Sequence, residues 1–413
     1  MPVRKNHVSP RVGFAWDPFG DGKTAVRAGA GIFYGSMSGN GWGTVENSQP
    51  FAVRQQFSNP ASLTHPYANL PGGVSPFPYV YTPSTARFIL PAGLLPIDLN
   101  FLWPLSYQLN FTIQRQIGKG FSVSGGYVGT LSHHLAFSPD INYPFWTSTA
   151  TSSNYNSRRP YGNGNLSTIN LMQSNGTASY HALQLTAKKT MGKHLSMTAF
   201  YSFSKSLSSA QMDGASTNGG AEDFHNLALE HGRSDYDQRH NLVSAIIWDT
   251  SYYTGTNAVL RNLLNGWTLS PIINLGSGLP FTVTSGKDNN YDGNSNDRAN
   301  LVGNPYLDPH RSRAQVAAEW FNALAFAANP IGTDGTSARN LLDAPGFRNV
   351  DMGLFRNFAI HERFKLQFRA EFTNFFNLVS LNAPNAALTS STFGQITTAH
   401  DMRQLQLGLR VSF

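Results

Sequence analysis

Residues 105–114, LSYQLNFTIQ, set Leu105, Tyr107, Leu109, Phe111 and Ile113 against Ser106, Gln108, Asn110, Thr112 and Gln114. Side chains of an extended chain alternate between two faces, so this period of two predicts a strand with one apolar and one polar side. The pattern returns at 195–205, LSMTAFYSFSK, where Leu195, Met197, Ala199, Tyr201 and Phe203 oppose Ser196, Thr198, Phe200, Ser202 and Ser204. It returns again at 363–376, RFKLQFRAEFTNFF, with Phe364, Leu366, Phe368, Ala370 and Phe372 against Lys365, Gln367, Arg369, Glu371 and Thr373. At 403–413, RQLQLGLRVSF, it places Leu405, Leu407, Leu409, Val411 and Phe413 together.

Weaker alternation marks 11–17, 24–34, 121–130, 180–188, 240–249, 267–276 and 348–358. The total is about eleven strands, each near the roughly 9–11 residues that cross a bilayer when tilted. Short connections, DPFGDGK after Trp16, IGKG at Ile117, MGKH at Met191 and NFAIHE at Asn357, alternate with long ones near 35–103, 131–178, 206–238, 277–346 and 377–402. The connection at 250–266 is intermediate. Structureless loops that long are rare in compact soluble domains, whereas short/long alternation is the habit of an outer-membrane barrel with tight periplasmic turns and extended extracellular loops. With the short turns periplasmic, the first and last strands both descend. Eleven strands that begin and end in the same direction cannot close without one parallel seam, and bacterial single-chain barrels have even counts, so the expectation is the second part of a larger barrel.

Composition agrees. Of 413 residues only 30 are basic and 23 acidic, 13% together, about half the usual quarter. Neutral Ser, Thr, Asn, Gln and Gly replace the missing charge, which disfavours an ordinary cytosolic enzyme. With no Cys, disulfide frameworks, thiolate metal sites and Cys nucleophiles are excluded. The net charge of +7 is scattered, with no cation run longer than Arg4-Lys5, Arg158-Arg159 or Lys188-Lys189, and so does not read as a nucleic-acid surface. No 18-residue apolar stretch exists for a membrane helix and no signal-like h-region follows the N-terminus.

A half-buried strand of a soluble sandwich shows the same alternation. Uncharged polar residues opposite the apolar side, and aromatics placed near strand ends (Trp16, Tyr34, Trp103, Tyr127, Trp248, Trp267, Phe376), favour a membrane barrel with an interfacial girdle.

The stretches 9–34 (SPRVGFAWDPFGDGKTAVRAGAGIFY), 179–207 (SYHALQLTAKKTMGKHLSMTAFYSFSKSL), 234–248 (SDYDQRHNLVSAIIW), 266–283 (GWTLSPIINLGSGLPFTV), 345–377 (PGFRNVDMGLFRNFAIHERFKLQFRAEFTNFFN) and 407–413 (LGLRVSF) resemble, in order, the barrel of Oar-like TonB-dependent receptors. The resemblance implies an outer-membrane location, a lipid environment and a 22-stranded parent barrel preceded by a signal peptide, a carboxypeptidase-regulatory-like domain and a plug. It implies TonB and the barrel-assembly machinery as partners of the full-length form, with Phe413 as the assembly signal. Nothing here resembles the signal, TonB box or plug. The expected domain is therefore 1–413 as the C-terminal portion of the barrel, equivalent to strands twelve to twenty-two. The basic balance departs from the acidic one of many outer-membrane proteins.

Chemistry-bearing patterns are few. In DNNYDGNSNDRAN, Asp288, Asn290 and Asp292 with Gly293 match the opening of a Ca2+ loop, with oxygen ligands at alternate positions and glycine at the sharp turn. Position twelve is Ala299 rather than a bidentate Glu, so an Asn/Asp-rich outer loop is the alternative. Lys365, Arg369 and Glu371 point to the polar face of one strand, where they would line a wet lumen or simply pair with one another. His133-His134 and His225, His231 and His240 lack the spacing of a zinc site. GAGIFYG at Gly29 lacks the context of a phosphate loop. No nucleophile has a base at workable spacing, so no catalytic residue and no resident cofactor are expected. Segment 312–328 is the only helix-like stretch.

The reading is an all-β transmembrane antiparallel barrel wall that takes part in uptake of a scarce, unidentified small solute. A surface adhesin binding partners through its long loops is the alternative. Attached upstream sequence with a plug would separate the two.

Overall fold

The computed structural model describes residues 7–412 except 37–47, 51, 53–61, 69–81, 85–87, 89, 191, 193, 210–220, 295–296 and 362–363. Phe413 and the side chain of Lys365 lie outside the described residues. Eleven antiparallel strands follow one another in chain order: β1 (Arg11–Trp16), β2 (Thr24–Tyr34), β3 (Leu105–Gln116), β4 (Phe121–Phe137), β5 (Gln173–Lys189), β6 (Leu195–Ser208), β7 (His240–Asp249), β8 (Trp267–Gly276), β9 (Phe347–His361), β10 (Phe364–Thr373) and β11 (Gln404–Ser412). A two-residue strand, Gly232–Arg233, adds to β6. The eleven coincide with those predicted, and long and short connections alternate as the spacing requires.

Register turns eleven separate alternations into two surfaces. Phe111 stands opposite Ala28 and Tyr127, and Leu183 opposite Tyr127 and Phe203. Leu242 stands opposite Tyr201 and Leu275, Leu354 opposite Leu269 and Ala370, and Ala370 opposite Leu407. Because partners in a ladder share a face, these residues form one apolar surface running across the whole sheet. The other surface carries Asn110, Gln184, Ser202, Asn274, Asn349, Glu371 and Gln406, aligned by the same pairings. The apolar rows do not meet across a dry interior, since Leu109, Leu183 and Leu407 stay 42%, 45% and 63% exposed. That exposure is tolerable only where the solvent is hydrocarbon. Two polar tips on this face are mutually satisfied: Tyr127 and Tyr201 share hydrogen bonds of 2.6 and 2.8 Å with Nδ1 of His181 and His240.

Turn chemistry fixes the tight end. In DPFGDGK, Asp17 accepts from the backbone N–H groups of Gly20 (3.1 Å) and Gly22 (2.8 Å), both glycines having positive φ, a conformation that a Cβ disfavours. The 250–266 connection contains helix α1 (Ala258–Leu264), whose first amides are capped by Asn257 Oδ1. Residues 312–328 are therefore not the only helical stretch. Seven residues are too few for a clear 3.6-residue period, which hides α1 in the sequence. Within 312–328 the structure holds helix α2 (Arg313–Ala318), closed by a Ser312/Gln315 capping box, and a 3-10 turn at Ala323–Ala325.

Three further differences share a cause. β4, β5 and β6 run 17, 17 and 14 residues, longer than their greasy portions, so Tyr127 falls in mid-strand rather than near an end. β9 continues to His361, through the stretch read as a turn. Backbone pairing persists where Ser, Thr, Gly and His interrupt the hydrophobic pattern, because the ladder needs amides and not grease.

Within the sheet β1 pairs only with β2 and β11 only with β10, so the sheet is not closed. Among the described residues, the buried hydrophobic cluster sits in the long connections: Val283, Ala299, Phe321, Ala325, Phe326 and Leu342 gather there, with Phe321 at the centre of three ring contacts.

Candidate functional site

At the long-loop end, connections 138–172, 209–239 and 277–346 border an open pocket of about 310 Å3. Its walls include Tyr143, Phe145 and Trp146 on one connection, Glu222 and Asp223 on the second, and Asp292 and Asp334 on the third.

Buried ion pairs hold these connections in place. Arg298, 5% exposed, lies between Glu222 and Glu230. Its guanidinium pairs with Glu230 Oε1 and stands 3.7 Å from Glu222 Oε2, and its backbone N–H donates to both Glu222 oxygens (2.9 and 2.8 Å). Gly335 N–H donates to Glu222 Oε1 at 2.6 Å, and its backbone passes so near Arg298 that a Cβ would lie 1.9 Å from that residue's carbonyl oxygen. Lower down, Arg233 reaches Asp237 (2.7 Å) and Asp343 (2.5 Å), while Asp237 accepts from the N–H of Ser206 on β6 (2.7 Å). This seats the loop assembly on the wall. Arg159 pairs with Asp140 at 2.7 Å.

The predicted Ca2+ ligands are only partly assembled. Carboxylate oxygens of Asp288, Asp292 and Asp297 lie within 4.8 Å of one another. Asn290, by contrast, donates from Nδ2 to Asp334 (2.9 Å), and its Oδ1 accepts from the N–H of Asp292 (3.0 Å). Sequence spacing missed Asp297 because, counted from Asp288, it falls out of phase with the alternate ligand positions. Asp288 accepts from Tyr155 Oη at 2.6 Å and from Gly293 N–H at 2.9 Å. Asp297 accepts from Asn289 N–H (2.7 Å) and Asn329 Nδ2 (2.9 Å).

Burial, with neighbouring like charge second to it, shifts titration in this corner. Burial, helped by Asp288 and Asp297 and opposed by the Asn294 N–H, pushes Asp292 up to about 7. Burial also pushes Glu222 up to about 7, outweighing the N–H donors and Arg298. Tyr143 is pushed up to about 12 by burial and then by Asp223, Asp292 and Asp334. A carboxyl whose folded pKa exceeds its unfolded one stabilises most below the unfolded value and loses that contribution as pH rises through the folded value. The loop assembly is therefore expected to loosen between about pH 4.5 and just above 7. Amide exchange of 221–237 and 283–342, corrected for intrinsic rates, is expected to accelerate about tenfold or more across that window. Unchanged protection would refute the assignment, and Glu222→Gln is expected to flatten the response.

On the polar face of β10, Arg369 Nη2 pairs with Glu371 Oε1 at 2.6 Å and its guanidinium lies 5.3 Å from the Phe355 ring centroid. Both members of the pair are about 40% exposed, so it contributes little to stability. Among the described residues the Asp288/Asp292/Asp297 group is the only cluster of potential metal ligands. His240 is engaged instead with Tyr201, and the His133 ring sits 6.0 Å from Tyr107.

The family model described as "Outer membrane beta barrel domain" matches residues 1–406. Among solved structures, the outer membrane transporter YddB from Escherichia coli is similar over 98% of this chain and 40% of its own, with a TM-score of 0.55 at 11% identity. The ferric preacinetobactin receptor BauA from Acinetobacter baumannii aligns over 98% of this chain and 36% of its own, with a TM-score of 0.43 at 12% identity. At that identity the YddB likeness speaks to fold alone, and the chain spans less than half of its length. No curated protein sequence matches.

Proposed function

The chain belongs to the outer membrane beta barrel domain family and resides in the outer membrane; from that premise we propose that it forms part of the wall and the outer loops of a TonB-dependent receptor that imports a scarce solute. The observation that carries this reading is the unclosed sheet, apolar on one face, polar on the other and crowned by a pocket-bearing loop assembly. Every unpaired backbone group at β1 and β11 costs several kcal/mol in hydrocarbon, so both edges require further strands. β1 and β11 run in the same direction, hence an odd number of added strands restores antiparallel closure and an even total. Eleven more would make the 22-stranded barrel that the sequence resemblance implies, with residues 1–413 as its C-terminal portion. Coverage of only part of the YddB chain supports the same reading.

Within that barrel the Arg369–Glu371 pair, with Lys365 on the same face of the strand, would face the lumen, and Phe413 would serve as the signal for barrel assembly. A Ca2+ ion, if bound, would sit with Asp288, Asp292 and Asp297 and stiffen the outer loop. Energy coupling belongs to a plug engaged by TonB. The barrel supplies wall, loops and wet path, and no step of this role asks for a catalytic residue.

The test is complementation in a receptor-deleted strain. These residues alone are expected neither to retain TonB in a pull-down nor to restore uptake of siderophores, cobalamin, glycans or peptides. The same residues joined to preceding strands and a plug are expected to do both. Uptake restored by these residues alone would overturn the proposal.

A further inference from the structure

We propose that the hydrocarbon-facing side of β5, β6 and β7 carries a site for one lipid of the outer leaflet, an acylated lipid whose headgroup bears phosphate. The phosphate meets His181, Lys205, Arg239 and His240 at the long-loop end of the strands, and an acyl chain lies in a groove below them. The inference rests on the membrane placement of the sheet and asks nothing of the receptor role.

Charge is sorted by face. The carboxylates within the eleven strands are Asp249, Asp351 and Glu371. Asp249 stands opposite Thr268, Asp351 shares the face of Asn349, and Glu371 stands opposite Gly353, so all three belong to the polar face. The apolar face has cations at its long-loop rim instead. Lys205 stands directly opposite His181 and His240 directly opposite Phe203, on the face of Leu183, and all three polar side chains are exposed. Arg239, just before β7, holds its guanidinium 5.5 Å from the Phe203 ring centroid, which draws it to the same face. Among the described residues neither Lys205 nor Arg239 has a carboxylate in ion-pair reach. Tyr127 and Tyr201 occupy Nδ1 of His181 and His240, which leaves each Nε2 free for another partner. Cations bordering hydrocarbon reach for the headgroup level, where lipid phosphates lie.

Below the rim an open groove of about 450 Å3 runs over the same strands, lined by Val123, Leu185, Ala187, Ala199, Tyr201 and Leu242 among others. Its floor is low because Ala187 and Ala199 are register partners, two methyl groups side by side next to Leu185 and Tyr201. Tyr201 joins the two parts, since it lines the groove and its Oη bonds His240 Nδ1 at 2.8 Å. Leu185 lies four residues along β5 from His181, about 13 Å and roughly the depth of one leaflet. Phosphate suits the rim because its oxygens accept several charge-assisted hydrogen bonds at once from ammonium, guanidinium and imidazole. A neutral glycolipid would leave the cations unpaired, and free phosphate would leave the groove unused. An acidic protein segment would press its own backbone polar groups against hydrocarbon, so the occupant is a lipid.

The experiment titrates lipid A, a diphosphorylated and acylated glucosamine disaccharide, into the protein extracted from outer membranes in nonionic detergent and stripped of endogenous lipid. Folding is checked by heat-modifiable electrophoretic mobility. Saturable binding is expected, with the same lipid freed of both phosphates bound about tenfold or more weakly, and inorganic phosphate at equal concentration is expected not to displace it. Lys205→Gln and Arg239→Gln are each expected to weaken binding about fivefold, and Ala199→Phe to weaken it by filling the groove, all with mobility unchanged. Lys189→Gln, which removes a cation from the same face at the short-turn end, is expected to leave binding as it was. Absence of saturable binding to folded protein, equal binding of the dephosphorylated lipid, displacement by free phosphate, or indifference to the rim substitutions or to Ala199→Phe would each overturn the assignment. So would a loss in Lys189→Gln as large as in Lys205→Gln, which would mean bulk attraction to anionic lipid. A dimer in detergent that buries Ala199 would also overturn it, giving the groove to a second copy of the chain.

Discussion

Arg298→Met is expected to open the outer loop assembly while leaving the strands intact. The side chain is 5% exposed and stands between Glu222 and Glu230, themselves 5% and 2% exposed. Its removal strands two buried carboxyls, and breaking a buried pair in this way costs about 3–5 kcal/mol. Glu222, already displaced toward neutrality by burial, can relieve part of that by taking a proton, so the loss is expected to be larger at pH 8 than at pH 5. Amide exchange in 283–342 and 221–237 is expected to rise by two orders of magnitude or more at pH 8, with heat-modifiable mobility retained. The triple variant with Glu222→Gln and Glu230→Gln is expected to recover much of the protection, because no uncompensated charge then remains. Unaltered exchange in Arg298→Met would show that the ion cluster does not hold the loops together.

The second large effect separates the two faces of one strand. Leu183 and Gln184 are neighbours on β5, the first opposite Tyr127 and Phe203, the second opposite Gly126 and Ser202. In a bilayer Leu183→Arg is expected to cost about 2–4 kcal/mol, and Gln184→Arg roughly nothing, because only the first drives a guanidinium into acyl chains. Urea titrations of folded protein in lipid vesicles measure both. In water Leu183 would be an exposed side chain of no consequence, so equal costs at the two positions would defeat the placement of lipid on the Leu183 face.

Much of the wall was readable before any coordinates, since a strand between hydrocarbon and water must alternate and does so at Leu105–Ile113 and Leu405–Val411. The connections were readable only as lengths. Arg298, Glu222 and Glu230 come together across separations of 68 and 76 residues, and no local period records such a meeting. The same holds for the pocket, whose aromatic residues lie at 143–146 and whose acidic ones lie at 223, 292 and 334. Asp297 shows the limit of motif reading: a template of alternate ligand positions steps over it, while the folded loop brings it beside Asp288 and Asp292. Helix α1 escaped because its seven residues hold no clear period, and the extra length of β4 to β6 because backbone pairing runs on past the hydrophobic pattern.

The location of the Phe321 cluster reaches beyond stability. None of its members lies on a strand of the wall, so loop assembly and sheet answer to different solvents. Sequence drift in the loops is screened by ordinary aqueous packing, whereas drift on the apolar face of the sheet is screened by oil. The loop assembly can therefore change its surface without renegotiating the seat of the strands in the membrane.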